Sequence, residues 1–455
     1  MGPRLGIFRF NTDSYPSSRY DINLIGKHYY PDKPLMSLEE WGQILTYYDE
    51  AAPDSLPKQE RKTPIHIGNA LFEPVLPARN YDNPVTTFLS VDTTASPHRL
   101  LQCEGLRHAI YIYNSQMNPI DSILFSGTVL DLISSKDSMI ICNVGLINPN
   151  DGRFGTVYAI PVNNKNANRT GRGPAEAYRI ADSLRRPVQL TAVDLNGDGK
   201  RDYVVCEFGN LLGDLAWYEN LGNEKFSRHV LRAEPGAINT IVNDYNHDGL
   251  PDLWVLFSQG DEAIVLFTNK GNGKFDQEQV LRFPPINGSS HFELEDFNGD
   301  GYPDILYTCG DNADYSIIPK PYHGVYIFLN DGKQHFKQQF FYPIHGCYKA
   351  IAKDFDGDGD LDIATIAFFA DYSHQPEEGF VYLENKGNWN FEASTLKETE
   401  LGRWLTMDVG DLDGDGKPDI VLGNFSVGPS PGKSQVNWKK GPPLLLLKNK
   451  GGVSK

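Results

Sequence analysis

Several things are missing from this sequence of 455 residues, and each absence closes off a class of function. No run of 18 or more apolar residues occurs, so no helix here spans a membrane. The five cysteines, Cys103, Cys142, Cys206, Cys309 and Cys347, form no CxxC pair. That argues against a zinc ribbon or a disulfide framework. With four of them inside apolar runs such as "MIIC" and "YVVC", buried free thiols are the expectation. Positive charge is scarce: 42 lysines and arginines face 59 aspartates and glutamates, for a formal net charge of −17. A basic face for nucleic acid does not emerge from that balance. There is no G-x-S-x-G elbow, no H-E-x-x-H and no phosphate loop, and "GKS" at 432–434 reads as a turn. The residues after Met1, "GPRLGIFRF", contain no apolar core of a signal peptide.

What is present is a core and a repeated acidic formula. Hydrophobic residues make up 40% and aromatics 12%, enough for a folded chain. The acid is concentrated in five stretches: "DLNGDGKRDY" at 194, "DYNHDGLPDL" at 244, "DFNGDGYPDI" at 296, "DFDGDGDLDI" at 354 and "DLDGDGKPDI" at 411. Left bare, such carboxylates repel one another. A divalent cation removes that repulsion. Positions 1, 3 and 5 of each loop supply side-chain oxygens, position 7 a backbone carbonyl, and position 9 a last carboxylate, while the glycine at position 6 permits the sharp turn. A hard cation with six to eight oxygens and flexible geometry is calcium.

The expected ligands are therefore Asp194, Asn196, Asp198, Lys200 and Asp202 in the first loop, and Asp244, Asn246, Asp248, Leu250 and Asp252 in the second. They continue with Asp296, Asn298, Asp300, Tyr302 and Asp304, then Asp354, Asp356, Asp358, Asp360 and Asp362, and finally Asp411, Asp413, Asp415, Lys417 and Asp419. Five bound Ca2+ would bring the charge of −17 to about −7. An EF-hand needs a glutamate at position 12 and an exiting helix, and dockerin-type loops also lead into helices. Here the loops run into "DYVVCEF", "DLWVLF", "DILYTC" and "DIVLG", which are strands.

The loops recur at spacings of 50, 52, 58 and 57 residues. A self-similar period of that size signals a repeat architecture. Downstream of each loop comes a strand, an Asn-containing turn, a Phe and another strand, as in "LAWYENLGNEKFSRHVL" and "FVYLENKGNWNFEASTL". With one strand before the loop and one after it, each repeat supplies the four strands of a propeller blade. Two further blades without an acidic loop fit residues 85–127 and 128–187. The last blade ends at "PPLLLLKNKG" with three strands, and "LFEPVLPAR" (71–79) is the expected fourth, closing the ring and hiding its edges. The fold class is thus all-β: a seven-bladed β-propeller over residues 66–455 behind a short helical N-terminal segment, 1–65.

The loops and turns resemble the FG-GAP/VCBS repeats of calcium-binding β-propellers, the fold also used by integrin α-subunit heads. The resemblance covers residues 71–450 and implies fold and metal rather than activity, because that fold hosts adhesion modules, lectins and enzymes alike. In the N-terminal segment, "SLEEWGQILTYYDEAAP" opens with a capping box, Ser37 and Glu40, and places Trp41, Ile44, Leu45 and Tyr48 on one helix face. The run "PLMSLEEWGQILTYYDEAAPDSLP" is similar to the last helix of a c-type cytochrome domain fused to such propellers in some bacterial proteins. That pattern requires a CxxCH site upstream; this chain has none, so no haem is expected in it.

In a propeller of this kind, loops joining second to third strands emerge opposite the acidic loops. There the sequence becomes irregular and polar, above all in "CGDNADYSIIPKPYHG" (309–324) and "FADYSHQPEEG" (369–379). The expected ligand-binding residues are Asp311, Asn312, Asp314, Tyr322, His323, Asp371 and His374. The favoured function is a non-catalytic, calcium-stabilised binding module acting outside the cytoplasm, in the periplasm, at the cell surface or secreted. Its partner would be a glycan, a protein or a cell-surface component. The alternatives are a polysaccharide-degrading enzyme of the lyase type, with His323 or His374 as base beside Tyr315 or Tyr322, and the propeller half of a haem-containing electron-transfer protein.

Overall fold

A computed structural model describes residues 33–125, 127–135, 137–161, 177–311, 318–430 and 432–452. Seven antiparallel sheets follow one another around a ring, making a seven-bladed β-propeller. In chain order the blades begin with the inner strands Thr86–Asp92, Val129–Ser134, Pro187–Val193, Ala237–Asn243, Ser289–Glu295, Cys347–Lys353 and Trp404–Gly410.

The second strands of blades three to seven, Asp202–Glu207, Asp252–Phe257, Asp304–Cys309, Asp362–Ala367 and Asp419–Asn424, are buried at every position. They pack against neighbouring blades on both faces, which is why they read as unbroken apolar runs rather than alternating ones. The fourth strands lie at the rim, and two of them, Pro119–Leu124 and Phe275–Arg282, are mostly exposed. Blade seven takes its outer strand from the other end of the chain: Phe72–Val75 pairs antiparallel with Leu444–Asn449. Blade six gains a parallel fifth strand, His66–Ile67, against Phe391–Thr395.

All seven inner strands share a bulge at the second residue, seen as a register shift between Thr86 and Phe88, Val129 and Asp131, Pro187 and Gln189, and so on around the ring. A side chain of one inner strand then reaches the backbone of the next. Thr87 donates to the Val129 carbonyl at 2.6 Å, Asp131 accepts from Leu190 N at 2.7 Å, and Thr191 donates to the Thr240 carbonyl at 3.3 Å. Asn239 donates to Phe292 at 3.1 Å, Glu293 accepts from Ala352 N at 2.9 Å, Lys349 donates to Met407 at 3.0 Å, and Asp408 accepts from Val91 N at 2.7 Å. Every blade junction, the closing one included, carries such a bond.

The N-terminal helix spans Leu38–Ala51 with the Ser37–Glu40 capping box in place, and none of its residues is buried. The chain after it is bound to the disc. Gln59 Nε2 donates to the His323 carbonyl at 3.1 Å, Arg61 Nε donates to the Pro343 carbonyl at 3.0 Å, and Tyr342 donates to the Thr63 carbonyl at 2.9 Å. The five cysteines are buried and free.

Candidate functional site

The five acidic loops connect first to second strands in blades three to seven. In each, the first aspartate folds the loop around its own carboxylate. Asp194 accepts from Gly197 N at 2.8 Å, Asp198 N at 3.2 Å and Gly199 N at 2.8 Å. Asp244, Asp296, Asp354 and Asp411 accept from their own loops in the same way. The turn requires positive φ at position 6, where Gly199 has φ 81° and Gly359 has φ 99°. Position 4 is also left-handed, even where it is not glycine: His247 has φ 57°. Asn196, Asn246, Asn298, Asp356 and Asp413 at position 3 accept from the residue at position 5. The carboxylates of Asp198, Asp248, Asp300, Asp358 and Asp415 accept from the N–H of Lys200, Leu250, Tyr302, Asp360 and Lys417 at position 7.

This wrapping gathers like charges. Oxygens of Asp354, Asp356 and Asp358 lie within 4.8 Å of one another, as do those of Asp411, Asp413 and Asp419. Asp360 Oδ1 is buried, and the side-chain hydrogen bond that Asp360 makes is to another carboxylate, Asp358. Burial, followed by the charges of Asp358, Asp356 and Asp354, pushes the Asp360 carboxyl up to about 6. A donor set made only of oxygens and gathered this closely suits a hard divalent cation.

The aspartates at position 9 have a second duty. Asp202, Asp252, Asp304 and Asp362 are fully buried and Asp419 nearly so. One oxygen of each accepts from the N–H at position 2 of its loop (Leu195, Tyr245, Phe297, Phe355, Leu412). The other accepts from the N–H of an asparagine in the outer hairpin: Asn220, Asn269, Asn330, Asn385 or Asn449, at 2.7–2.8 Å. The asparagine amide in turn donates to the carbonyl of the residue before the aspartate: Arg201, Pro251, Pro303, Leu361 or Pro418. Loop and hairpin are thereby stapled together. Burial holds the Asp362 carboxyl up at about 7, against hydrogen bonds from Tyr382 and Asn385 that favour the charged form. The recurrent Asn-x-Gly was the signal for this staple. A hairpin reading assigns its asparagine only a turn, whereas the left-handed asparagines are the later ones, Asn223, Asn272 and Asn388.

On the opposite face the expected residues are scattered in environment. Asn312, Asp314 and Tyr315 lie outside the described residues. Asp311 is exposed, and its N–H donates to the Gly288 carbonyl at 3.0 Å. Tyr322 donates to the Ile286 carbonyl at 3.2 Å. His323 is fully buried, and burial, with Lys320 and His345 adding to it, drives its imidazole down to about 3, so the ring is neutral. The His374 side chain is 79% exposed, with Nδ1 3.0 Å from Asp371. Among the described residues no hydrogen bond, ion pair or ring contact joins His323 to His374.

Two clusters that sequence reasoning missed organise this face. Glu378, fully buried, receives the Arg61 guanidinium from the N-terminal arm, lies 3.0 Å from His345 Nδ1, and accepts from Asp371 N at 3.1 Å. Arg403, 1% exposed, packs its guanidinium 3.6 Å from the Phe368 ring centroid and donates to the carbonyls of Phe368, Val427, Gly428 and Pro429. Burial lowers its pKa to about 10. Nothing in the sequence pattern distinguishes Arg61, Glu378 or Arg403 from surface charges.

Comparisons with known proteins agree on the repeat. A family model described as FG-GAP-like repeat matches residues 194–255 and 244–307, and the FG-GAP repeat model matches 404–434. Integrin alpha-PS5 of Drosophila melanogaster is 31% identical over 139 residues, which is 26% of this chain and 14% of that protein. The chain therefore spans a small part of that relative. Among solved structures, BBS1N in complex with ARL6DN, soaked with lead, aligns at TM-score 0.50 and 8% identity, covering 86% of this chain and 100% of that one. The WD40 domain of Neurospora crassa Pan2 aligns at TM-score 0.49 and 11% identity, over 86% of this chain and 99% of that one. No helix among the described residues is long and apolar enough to cross a membrane.

Proposed function

The chain carries FG-GAP repeats at 194–307 and 404–434 within a seven-bladed β-propeller, and on that premise we propose that it is a non-catalytic binding module whose acidic loops hold calcium. The observation that carries the metal reading is the convergence of Asp354, Asp356 and Asp358 oxygens within 4.8 Å, with a buried Asp360 oxygen beside them. Calcium there would cancel charges that otherwise oppose the fold, so binding would tighten each blade's loop-to-hairpin staple. Work outside the cytoplasm follows from the integrin likeness and from calcium levels, since millimolar concentrations fill loops of modest affinity.

The partner belongs on the face opposite the loops. That face carries exposed apolar side chains at Leu106 (57%), Leu146 (41%), Phe154 (47%), Ile286 (64%) and Ile318 (60%), set among polar loops. Such a mixture of apolar and polar groups suits a protein surface. Neutral, buried His323 and solvent-exposed His374 offer no paired acid and base, which weighs against the lyase reading.

Equilibrium dialysis of the purified chain against calcium tests the metal reading. Up to five ions per chain, displaced by chelator, is the expected result. Failure to retain any ion at millimolar calcium would overturn it.

A further inference from the structure

The five loops do not share one electrostatic setting, and the difference comes from the hairpin beside each loop as much as from the loop's own formula. By carboxylates at positions 1, 3, 5 and 9, loops 354–362 and 411–419 are equal with four each, and the other three have three and an asparagine. A ranking by carboxylate number therefore puts 411–419 near the top. The structure reverses its place. In blades three and seven the residue preceding the stapling asparagine lies against position 3 of the loop. In blade seven it is Lys448, whose Nζ is 2.5 Å from Asp413 Oδ2. Lys417 Nζ lies 3.2 Å from Asp415 Oδ2 and also donates to the Lys450 carbonyl at 3.2 Å. Two ammonium groups thus already sit on the carboxylates of loop 411–419.

Loop 354–362 is the opposite case. Its neighbour at the same hairpin position is Glu384, which is paired with Lys386, and position 7 adds Asp360. Among the described residues no lysine or arginine pairs with this loop's carboxylates. Loop 194–202 has one internal cation, Lys200, 2.6 Å from Asp198, and one added acid, Glu219, accepting from Asn196 at 3.1 Å. In loops 244–252 and 296–304 the only such contact described is neutral, Asn246 and Asn298 donating to Asp248 and Asp300 at 2.9 Å.

We propose that the loops fill with calcium in an order set by these internal cations, loop 354–362 first and loop 411–419 last. The proposal rests on the calcium reading above. A dication entering loop 411–419 must displace Lys448 from Asp413 and Lys417 from Asp415, then remain beside both ammonium groups. At a separation of about 6 Å, with the full screening of water, the repulsion between one ammonium and a dication weakens binding about tenfold. The loop concerned lies in the blade that closes the ring, where Leu444–Asn449 meets Phe72–Val75. Falling calcium would therefore release its ion from the closure first, while loop 354–362 stays filled.

Native mass spectrometry of the full chain across a calcium titration, with isothermal titration of the same samples, tests this. Lys448→Met together with Lys417→Met should tighten the weakest binding step about tenfold or more and leave the tightest unchanged. Asp411→Asn should abolish the weakest step, and Asp354→Asn the tightest. Lys448 is 40% exposed, so its replacement keeps the test available even if an aspartate variant fails to fold. An unchanged weakest step in the lysine variant, or loss of the tightest step in Asp411→Asn, would overturn the order while leaving calcium binding intact. A wild-type chain that takes up no calcium would overturn the calcium reading and the order with it.

Discussion

The two faces of the disc treat charge in opposite ways. On the loop face, carboxylates are gathered at the surface with few counter-charges, by a formula repeated five times. On the other face, charges are buried singly and satisfied by unique partners: Glu378 by Arg61 and His345, and Arg403 by backbone carbonyls. A repeated formula of crowded carboxylates, only partly offset by lysines, suits an external ion. An irregular face locked by internal bonds is a preformed platform, suited to a partner that requires a fixed shape. On the reading proposed above, one face stabilises the disc and the other recognises a partner.

The comparison breaks most severely at Arg403. Replacing it with Ala empties a buried slot beside Phe368 and removes the guanidinium from the buried Phe368 carbonyl and the part-buried Val427 and Gly428 carbonyls, and should cost about 3–5 kcal/mol by urea unfolding. Arg403→Lys should recover only part of that, since a single ammonium cannot span the same fork of acceptors. On the loop face, Asp362→Asn should cost about 2–3 kcal/mol even in chelator. The amide nitrogen would confront the N–H of Phe355 or Asn385, both of which donate to the carboxylate. Asp358→Asn, at the exposed tip of the same loop, should change stability in calcium but little without it. Equal losses for the two in chelator would remove the distinction between staple and ligand.

A smaller effect concerns the N-terminal arm. Arg61→Ala leaves buried Glu378 without its guanidinium, and should cost about 1–3 kcal/mol while exposing residues 52–65 to faster protease cleavage. The smallest effect lies in the central channel and belongs to neither face. Burial, opposed by the Ala352 N–H and by Lys349 and reinforced by Glu295 and Asp408, pushes Glu293 up to about 7. Its folded-state pKa exceeds the ordinary carboxylate value, so the folded chain holds this proton more tightly. Stability from this group therefore rises as pH falls through about 7 toward the ordinary range, and is lost as pH rises again. In chelator, wild type should gain about 1–2 kcal/mol more than Glu293→Gln between pH 8 and pH 5. Identical pH profiles for the two chains would contradict the shift.

The same division decided what could be read from the sequence. Propeller, blade count and the closing strand at Phe72–Val75 were legible because repetition exposes its own period, and because a blade with three strands demands a fourth. The acidic loops were legible because five copies of one spacing are hard to explain by turns alone. The staples were half legible: the Asn-x-Gly stood in plain view, yet its bond to the position 9 aspartate joins residues 17 to 30 apart, and pattern reading follows neighbours. On the opposite face the expected residues lie in unlike environments, His323 buried and His374 exposed, and burial there depends on the arm at 59–65 folding over blades five and six, which no local pattern announces. Arg61 and Glu378 are 317 residues apart, and no local signal pairs them.

The most direct test of the central claim is the thermal unfolding of the full chain in excess chelator and in millimolar calcium. Ions bound across several loops should raise the melting temperature by about 10 °C or more, reversibly on adding calcium back. The same melting temperature in both conditions would contradict the assignment of the acidic loops to calcium.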